Sequence, residues 1–313
     1  MMKKSYFLFL LLIPLLSLGH SWSLSLAGNA AFDYRPARQP YGLDEEASTV
    51  IGTPQTYAVQ KADTLLDIAR NFDLGFSELQ LLYRKVDPWT PPEGMTLTVP
   101  TLWVLPEGKR DGILINIPEM RLYYFLKGES TVKTFPIGIG VTANVTPVGR
   151  FYIREKVVSP KWHIPKDLRK KYDGQKFMPA GPENPLGSHW MGLSIKGYGI
   201  HGTNLPWAVG RLVTHGCIRL YPEDIPHLYS LVPIGTPVEI SYEPVKIGYK
   251  DGRVFLEAHE DIYRRVPDLY QSTLKRLERT GIRKFVAWEK VREALNRRNG
   301  LPADISSDFI LGR

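Results

Sequence analysis

One cysteine, two histidines and an arginine stand close enough in the chain to do chemistry together. Cys217 is the single cysteine among 313 residues. It lies two residues after His215 and sixteen after His201, in Ile200-His-Gly-Thr203 and Val213-Thr-His-Gly-Cys-Ile-Arg-Leu220. A thiolate is a strong nucleophile, and a neighbouring imidazole is the group that generates it. Gly216, just before the cysteine, lets an incoming carbonyl approach the backbone, and the Gly216 and Cys217 N–H groups are then candidates to hold an oxyanion. Arg219 can clamp a substrate carboxylate with two parallel hydrogen bonds or make a structural ion pair. The set is a self-consistent kit for acyl transfer. Cys217 is the nucleophile and His215, nearest in sequence, is the preferred general base, with a backbone carbonyl to orient it. His201 shares the proton transfer or positions substrate. Thr203 and Thr214 flank the site at positions that suit turn geometry. Two other readings compete. A lone cysteine is often a buried small hydrophobe, and two histidines with a cysteine could ligate zinc. A structural zinc site wants four protein ligands, and no second cysteine exists. No metal and no cofactor are expected.

These residues need a scaffold, and the hydrophobic periodicity supplies one. From Gly112 the period is two: Ile113–Ile117, Arg121–Leu126 and Val132–Ile137 read as strands, with Pro118-Glu119 and Lys127-Gly128-Glu129 as turns. Shorter strands follow at 151–153, 191–195 and 238–240. The expected fold is mainly β with α+β additions, built on a β-sandwich-like catalytic domain over 110–242. Residues 160–187 carry few strand signals and many Lys, Pro and Gly residues, which suggests a lid or binding loop with Trp162 and His163 lining a cleft. Before this domain, residues 55–101 read as a small βααβ unit. Thr56–Val59 and Thr96–Pro100 are its strands, Asp63-Thr64 caps a helix with Leu65, Ile68, Ala69 and Phe72 on one face, and Ser77 caps a second. Residues 25–54 read as a mostly irregular lead-in. After the domain, residues 243–313 form a hairpin around Asp251-Gly252 and then two helices, the second with Trp288, Val291 and Leu295 on one stripe.

The N-terminus carries lysines at 3 and 4, an apolar stretch to Leu18 and then small residues. This is the pattern of a secretory signal over residues 1–24, or of an uncleaved anchor, on a stretch short for a membrane span. No cysteine closes the stretch, which excludes a lipoprotein anchor. A single cysteine in an exported chain forms no internal disulfide, which points to a free reactive thiol or an intermolecular bridge. The formal net charge of +8 is spread along the chain and fits an acidic cell-envelope substrate; no nucleic-acid motif accompanies it.

The region 112–239 resembles the L,D-transpeptidase catalytic domain of bacterial cell-wall enzymes. The motifs that carry the resemblance are Thr146-Pro-Val-Gly149, Pro160-Lys-Trp162, Gly181-Pro-Glu-Asn-Pro-Leu-Gly187, Tyr198-Gly-Ile-His-Gly-Thr203 and Thr214-His-Gly-Cys-Ile-Arg-Leu220. Thr214 stands where serine is commoner. The unit 55–101 resembles a LysM module, a peptidoglycan glycan binder, with Ala62 in place of the usual glycine and Tyr83-Arg84 where an asparagine is expected. The tail is similar to that of the periplasmic subgroup that pairs the two modules. The resemblance implies a monomeric periplasmic enzyme. Its donor is a tetrapeptide stem ending in diaminopimelate and D-Ala, and its acyl acceptor is an outer-membrane lipoprotein lysine or a second diaminopimelate. Water as acceptor would make an L,D-carboxypeptidase, and a non-catalytic peptidoglycan-binding protein is the other alternative.

Overall fold

The computed structural model describes residues 30–34 and 47–307. The expected signal segment lies outside the described residues. Among them, no helix is long and apolar enough to cross a membrane.

The core is one nine-stranded sheet. Its order is Phe32–Asp33, Thr131–Pro136, Arg121–Phe125, Gly112–Asn116, Pro237–Ser241, Gly149–Val158, His189–Leu193, Gly199–His201 and Ile218–Arg219. Gly149–Val158 serves both arms of this sheet. Residues 149–152 pair with Pro237–Ile240, and residues 153–158 pair with His189–Leu193 after a register shift between Ile153 and Glu155. A bulge of this kind bends a strand and sharpens its twist. The sheet curls accordingly, and Ile113 and Ile115 of one arm share a single core with Met191, Leu193, Ile200 and Ile218 of the other. The sandwich-like character of this mainly β domain thus comes from one bent sheet. Helix Asp224–Leu231, which no sequence pattern announced, closes that core with Ile225 and Leu228.

Gly112–Asn116 and Arg121–Phe125 are buried along their whole length. Their second face, with Leu114, Tyr123 and Phe125, packs on the N-terminal unit. That unit is the expected βααβ arrangement: Gln55–Ala58 pairs with Thr96–Val99 around helices Leu65–Asn71 and Phe76–Leu82. Thr64 caps the first helix by accepting the Asp67 N–H at 3.1 Å. Ser77 does not cap the second; Gly75 takes that place, and the Glu78 carboxylate accepts the Gly75 N–H at 2.7 Å. The cap moves because Glu78 is fixed from outside its helix by the fully buried Arg121 at 2.8 Å. Ala62 adopts φ +69°, which accounts for a glycine preference at that turn. A second link is the bidentate Arg70–Glu223 pair at 2.6 and 2.7 Å. The lead-in is less irregular than expected. Phe32–Asp33 extends the main sheet and Val50–Gly52 pairs with Leu102–Val104; such short strands owe their form to the partner edge.

The tail forms the expected hairpin, Val245–Lys250 with Arg253–Ala258, and Ala303–Asp304 adds a third strand. Asp251 and Gly252 both have positive φ, as a type I′ turn requires. Helices Leu269–Arg279 and Trp288–Arg297 cover this small sheet. Where the three parts meet, the fully buried Lys246 ammonium binds Glu119, Glu257 at 2.8 Å and the Val104 carbonyl at 2.6 Å.

Candidate active site

Two short parallel pairings create the nucleophile turn. Leu212–Thr214 runs beside Ile139–Gly140, and Ile218–Arg219 runs beside Ile200–His201. Ile200 and Ile218 point into the core, so the paired residues His201 and Arg219 face the opposite side together. Between the two pairings the chain turns through His215, Gly216 and Cys217.

Thr214 builds that turn. Its hydroxyl accepts the Gly216 N–H at 3.1 Å and donates to the Cys217 carbonyl at 2.6 Å. Gly216 sits at φ +99°, and a Cβ there would come within 2.6 Å of the Tyr198 ring, so only glycine fits. The Gly216 N–H is therefore spent on the turn and does not face substrate as the sequence suggested. Thr203 plays a matching part in its own loop, where its buried hydroxyl accepts the Leu205 N–H at 2.9 Å.

The Cys217 thiol is half-buried and donates to the Gly197 carbonyl at 3.6 Å. Burial pushes its pKa up to about 11, opposed by the Gly199 backbone and the nearby Arg219 cation. At neutral pH it is a thiol that needs a base. The Arg219 guanidinium interacts electrostatically with Cys217 and Tyr172, and burial pulls its pKa down from the arginine value. Its Nε has no hydrogen-bond partner, and no carboxylate of the described residues pairs with it.

The two histidines occupy different surroundings. His201 is buried, with Nδ1 2.7 Å from the Gly202 carbonyl and its ring stacked on Trp190 at 5.8 Å. Burial, reinforced by the Arg219 charge, lowers its pKa to about 3, so the ring is neutral; the Gly202 and Leu186 backbones pull weakly the other way. His215 is exposed, and its Nδ1 faces the Asp167 carboxylate at 3.8 Å. That partner was missed in the sequence, because Asp167 is 48 residues distant and belongs to no motif.

Asp167 belongs to the segment that the sequence marked as a lid. It contains a two-stranded ribbon, Trp162–His163 with Phe177–Met178, and the 3₁₀ helix Lys166–Tyr172. Trp162 meets Tyr172 edge-on at 5.1 Å, so its ring is held within this segment's own cluster. Buried Asn184 ties the ends of the segment together, donating to the Pro160 and Pro179 carbonyls at 2.9 Å and accepting the Leu186 N–H at 2.9 Å. Through Asp167 the segment meets His215, and through Tyr172 it interacts electrostatically with Arg219.

The arrangement suits attack of a thiol on an amide carbonyl beside a negatively charged group. Comparison with known proteins agrees. The family model of the L,D-transpeptidase catalytic domain matches residues 110–240. A probable L,D-transpeptidase of Salmonella typhimurium, ErfK/SrfK, is 36% identical over 282 residues, covering 85% of this chain and 91% of the relative. The probable L,D-transpeptidase YbiS of Escherichia coli is 35% identical over 231 residues, 71% of this chain and 75% of its own. Among solved structures, the catalytic domain of an E. faecium L,D-transpeptidase is 26% identical, covering 42% of this chain and 96% of that one, at a TM-score of 0.34.

Proposed function

The chain belongs to the L,D-transpeptidase family, and from that premise we propose that it acts on peptidoglycan with Cys217 as its nucleophile. His215 takes the Sγ proton, and the sulfur attacks the diaminopimelate carbonyl of a donor tetrapeptide stem. The Cys217 N–H supports the oxyanion, since the Gly216 N–H is engaged by Thr214. Collapse of the tetrahedral species breaks the bond to D-Ala, whose amine leaves with the proton held on His215. A thioester remains. An acceptor amine then attacks it, His215 takes a proton from that amine, and the thiol is returned as the new amide forms. Arg219 holds a carboxylate of the stem. His201, neutral and bonded to backbone, fixes the loop behind the thiol rather than moving protons.

The observation that carries this reading is the half-buried thiol near an arginine that no carboxylate of the described residues neutralises. The acceptor is a lipoprotein lysine or a second diaminopimelate. The LysM-like unit 55–101, docked on the catalytic domain through Arg121–Glu78 and Arg70–Glu223, carries glycan to the site. The chain works as a periplasmic monomer exported by its N-terminal segment.

Product mass spectrometry tests this. The protein and its Cys217→Ala variant are incubated with disaccharide tetrapeptide, with and without a lysine-ended lipoprotein peptide. A crosslinked dimer identifies a wall-crosslinking enzyme, and a muropeptide–lipoprotein conjugate identifies an anchoring one. Loss of D-Ala with no new amide would make it a carboxypeptidase. Absence of any Cys217-dependent product would leave a binding protein and refute the catalytic reading.

A further inference from the structure

The tail beyond the catalytic domain reaches back to the nucleophile turn through one side chain. Tyr263 donates its hydroxyl hydrogen to the Gly140 carbonyl at 2.6 Å, and the same oxygen receives the Thr146 N–H at 3.4 Å. Gly140 is the residue on which the turn rests. It pairs with Thr214, its N–H donates to Thr146 Oγ1 at 3.0 Å, and the neighbouring Val141 N–H donates to the Thr214 carbonyl at 3.0 Å. A Cβ on Gly140 would lie 2.9 Å from the Gly216 Cα, so the two backbones are in direct contact. The Tyr263 hydroxyl is thus separated from the Gly216–Cys217 peptide by a single residue.

Tyr263 is itself held in place. Its N–H donates to the Tyr242 hydroxyl at 2.8 Å, its ring stacks on Tyr242 at 5.9 Å and 19°, and the Arg265 guanidinium lies over both rings. Asp261 accepts from the Tyr242 hydroxyl and from the N–H groups of Arg265 and Val266 at 2.9 and 2.7 Å. These contacts fix the tail locally, and among the described residues the Tyr263 hydroxyl is what bonds the tail to Gly140.

We propose that Tyr263 is a positioning residue for the transfer reaction: through Gly140 and Thr146 it sets the height of the nucleophile turn and hence the placement of the Cys217 sulfur. The proposal rests on Cys217 being the nucleophile. Small misplacements of a reacting group cost rate steeply while leaving substrate binding largely intact.

The test compares Tyr263→Phe with Tyr242→Phe in the full-length protein. Tyr263→Phe keeps the ring and loses the Gly140 and Thr146 bonds; Tyr242→Phe loosens the tail yet leaves those bonds in place. Turnover of the tetrapeptide donor is measured together with the pH–rate profile of Cys217 alkylation by iodoacetamide. For Tyr263→Phe, kcat is expected to fall about tenfold with KM within about twofold. The alkylation profile is expected to move to lower pH, because a loosened turn admits water to a thiol that burial now keeps protonated. For Tyr242→Phe, both quantities should stay within about twofold of the parent. Parent-like kcat and profile in Tyr263→Phe would overturn the proposal, and so would equal losses in both variants, which would mean general loosening of the tail. Full turnover in Cys217→Ala would instead overturn the reading on which the proposal rests.

Discussion

Replacing Thr214 by valine keeps the shape of the side chain and removes only its hydroxyl. That hydroxyl makes two bonds inside a partly buried turn, from the Gly216 N–H at 3.1 Å and to the Cys217 carbonyl at 2.6 Å. A buried polar group left without a partner costs about 1–3 kcal/mol. Two such groups give a loss of roughly 2–6 kcal/mol in unfolding free energy, toward the low end where water reaches the partly buried Cys217 carbonyl. The catalytic effect is separate. The freed Gly216 peptide is no longer held against Gly140, and displacement of the sulfur is expected to lower kcat about 100-fold. Thr214→Ser retains the hydroxyl and should keep kcat within about threefold of the parent. Urea denaturation gives the first quantity, and D-Ala release under saturating donor gives the second. A Thr214→Val protein with parent-like kcat would refute the claim that this hydroxyl builds the nucleophile turn. Equal damage from serine and valine would refute it too.

Three further outcomes follow from the same geometry. Arg219→Lys keeps a cation but loses the planar fork, so KM for a stem with a free carboxylate should rise about tenfold, with thermal stability little changed; an unchanged KM would assign Arg219 elsewhere. Lys246→Met leaves Glu119 and Glu257 buried without their shared ammonium, and chemical denaturation should show a loss of about 3–5 kcal/mol. Glu243 should give stability a pH slope. Burial raises its pKa to about 7, against the pull of Arg276, so the folded protein holds a proton there that the unfolded chain releases at lower pH. The resulting stabilisation is complete below the ordinary glutamate range and is lost as pH rises through about 7, and Glu243→Gln should flatten that stretch of the curve.

Much of this site could be read along the chain because its parts are local. Gly216 needs a left-handed backbone and Thr214 bonds residues two and three positions on, so both leave a trace in one heptapeptide. The strands Gly112–Asn116, Arg121–Phe125 and Thr131–Pro136 were legible as apolar runs between turn residues, whereas of the ten-residue strand Gly149–Val158 only 151–153 was. The strands that frame the nucleophile are two or three residues long, and only their partners define them. Asp167 and Tyr172 reach the site from one distant segment and Tyr263 from another, and nothing in their own neighbourhoods signals it. The second helix cap shifted from Ser77 to Gly75 through a partner, Arg121, 43 residues from Glu78. Of the two histidines, adjacency favoured His215 as the base, but only the fold reveals that His201 is buried and bound to backbone.

The most direct measurement is the intact mass of the protein after rapid mixing with a disaccharide tetrapeptide and acid quench. The expected result is a transient adduct equal to the donor minus D-Ala, placed on Cys217 by peptide mapping, labile to hydroxylamine as a thioester is, and absent from Cys217→Ala. D-Ala release at the parent rate in Cys217→Ala, or an adduct on any other residue, would contradict the assignment of Cys217 as the nucleophile.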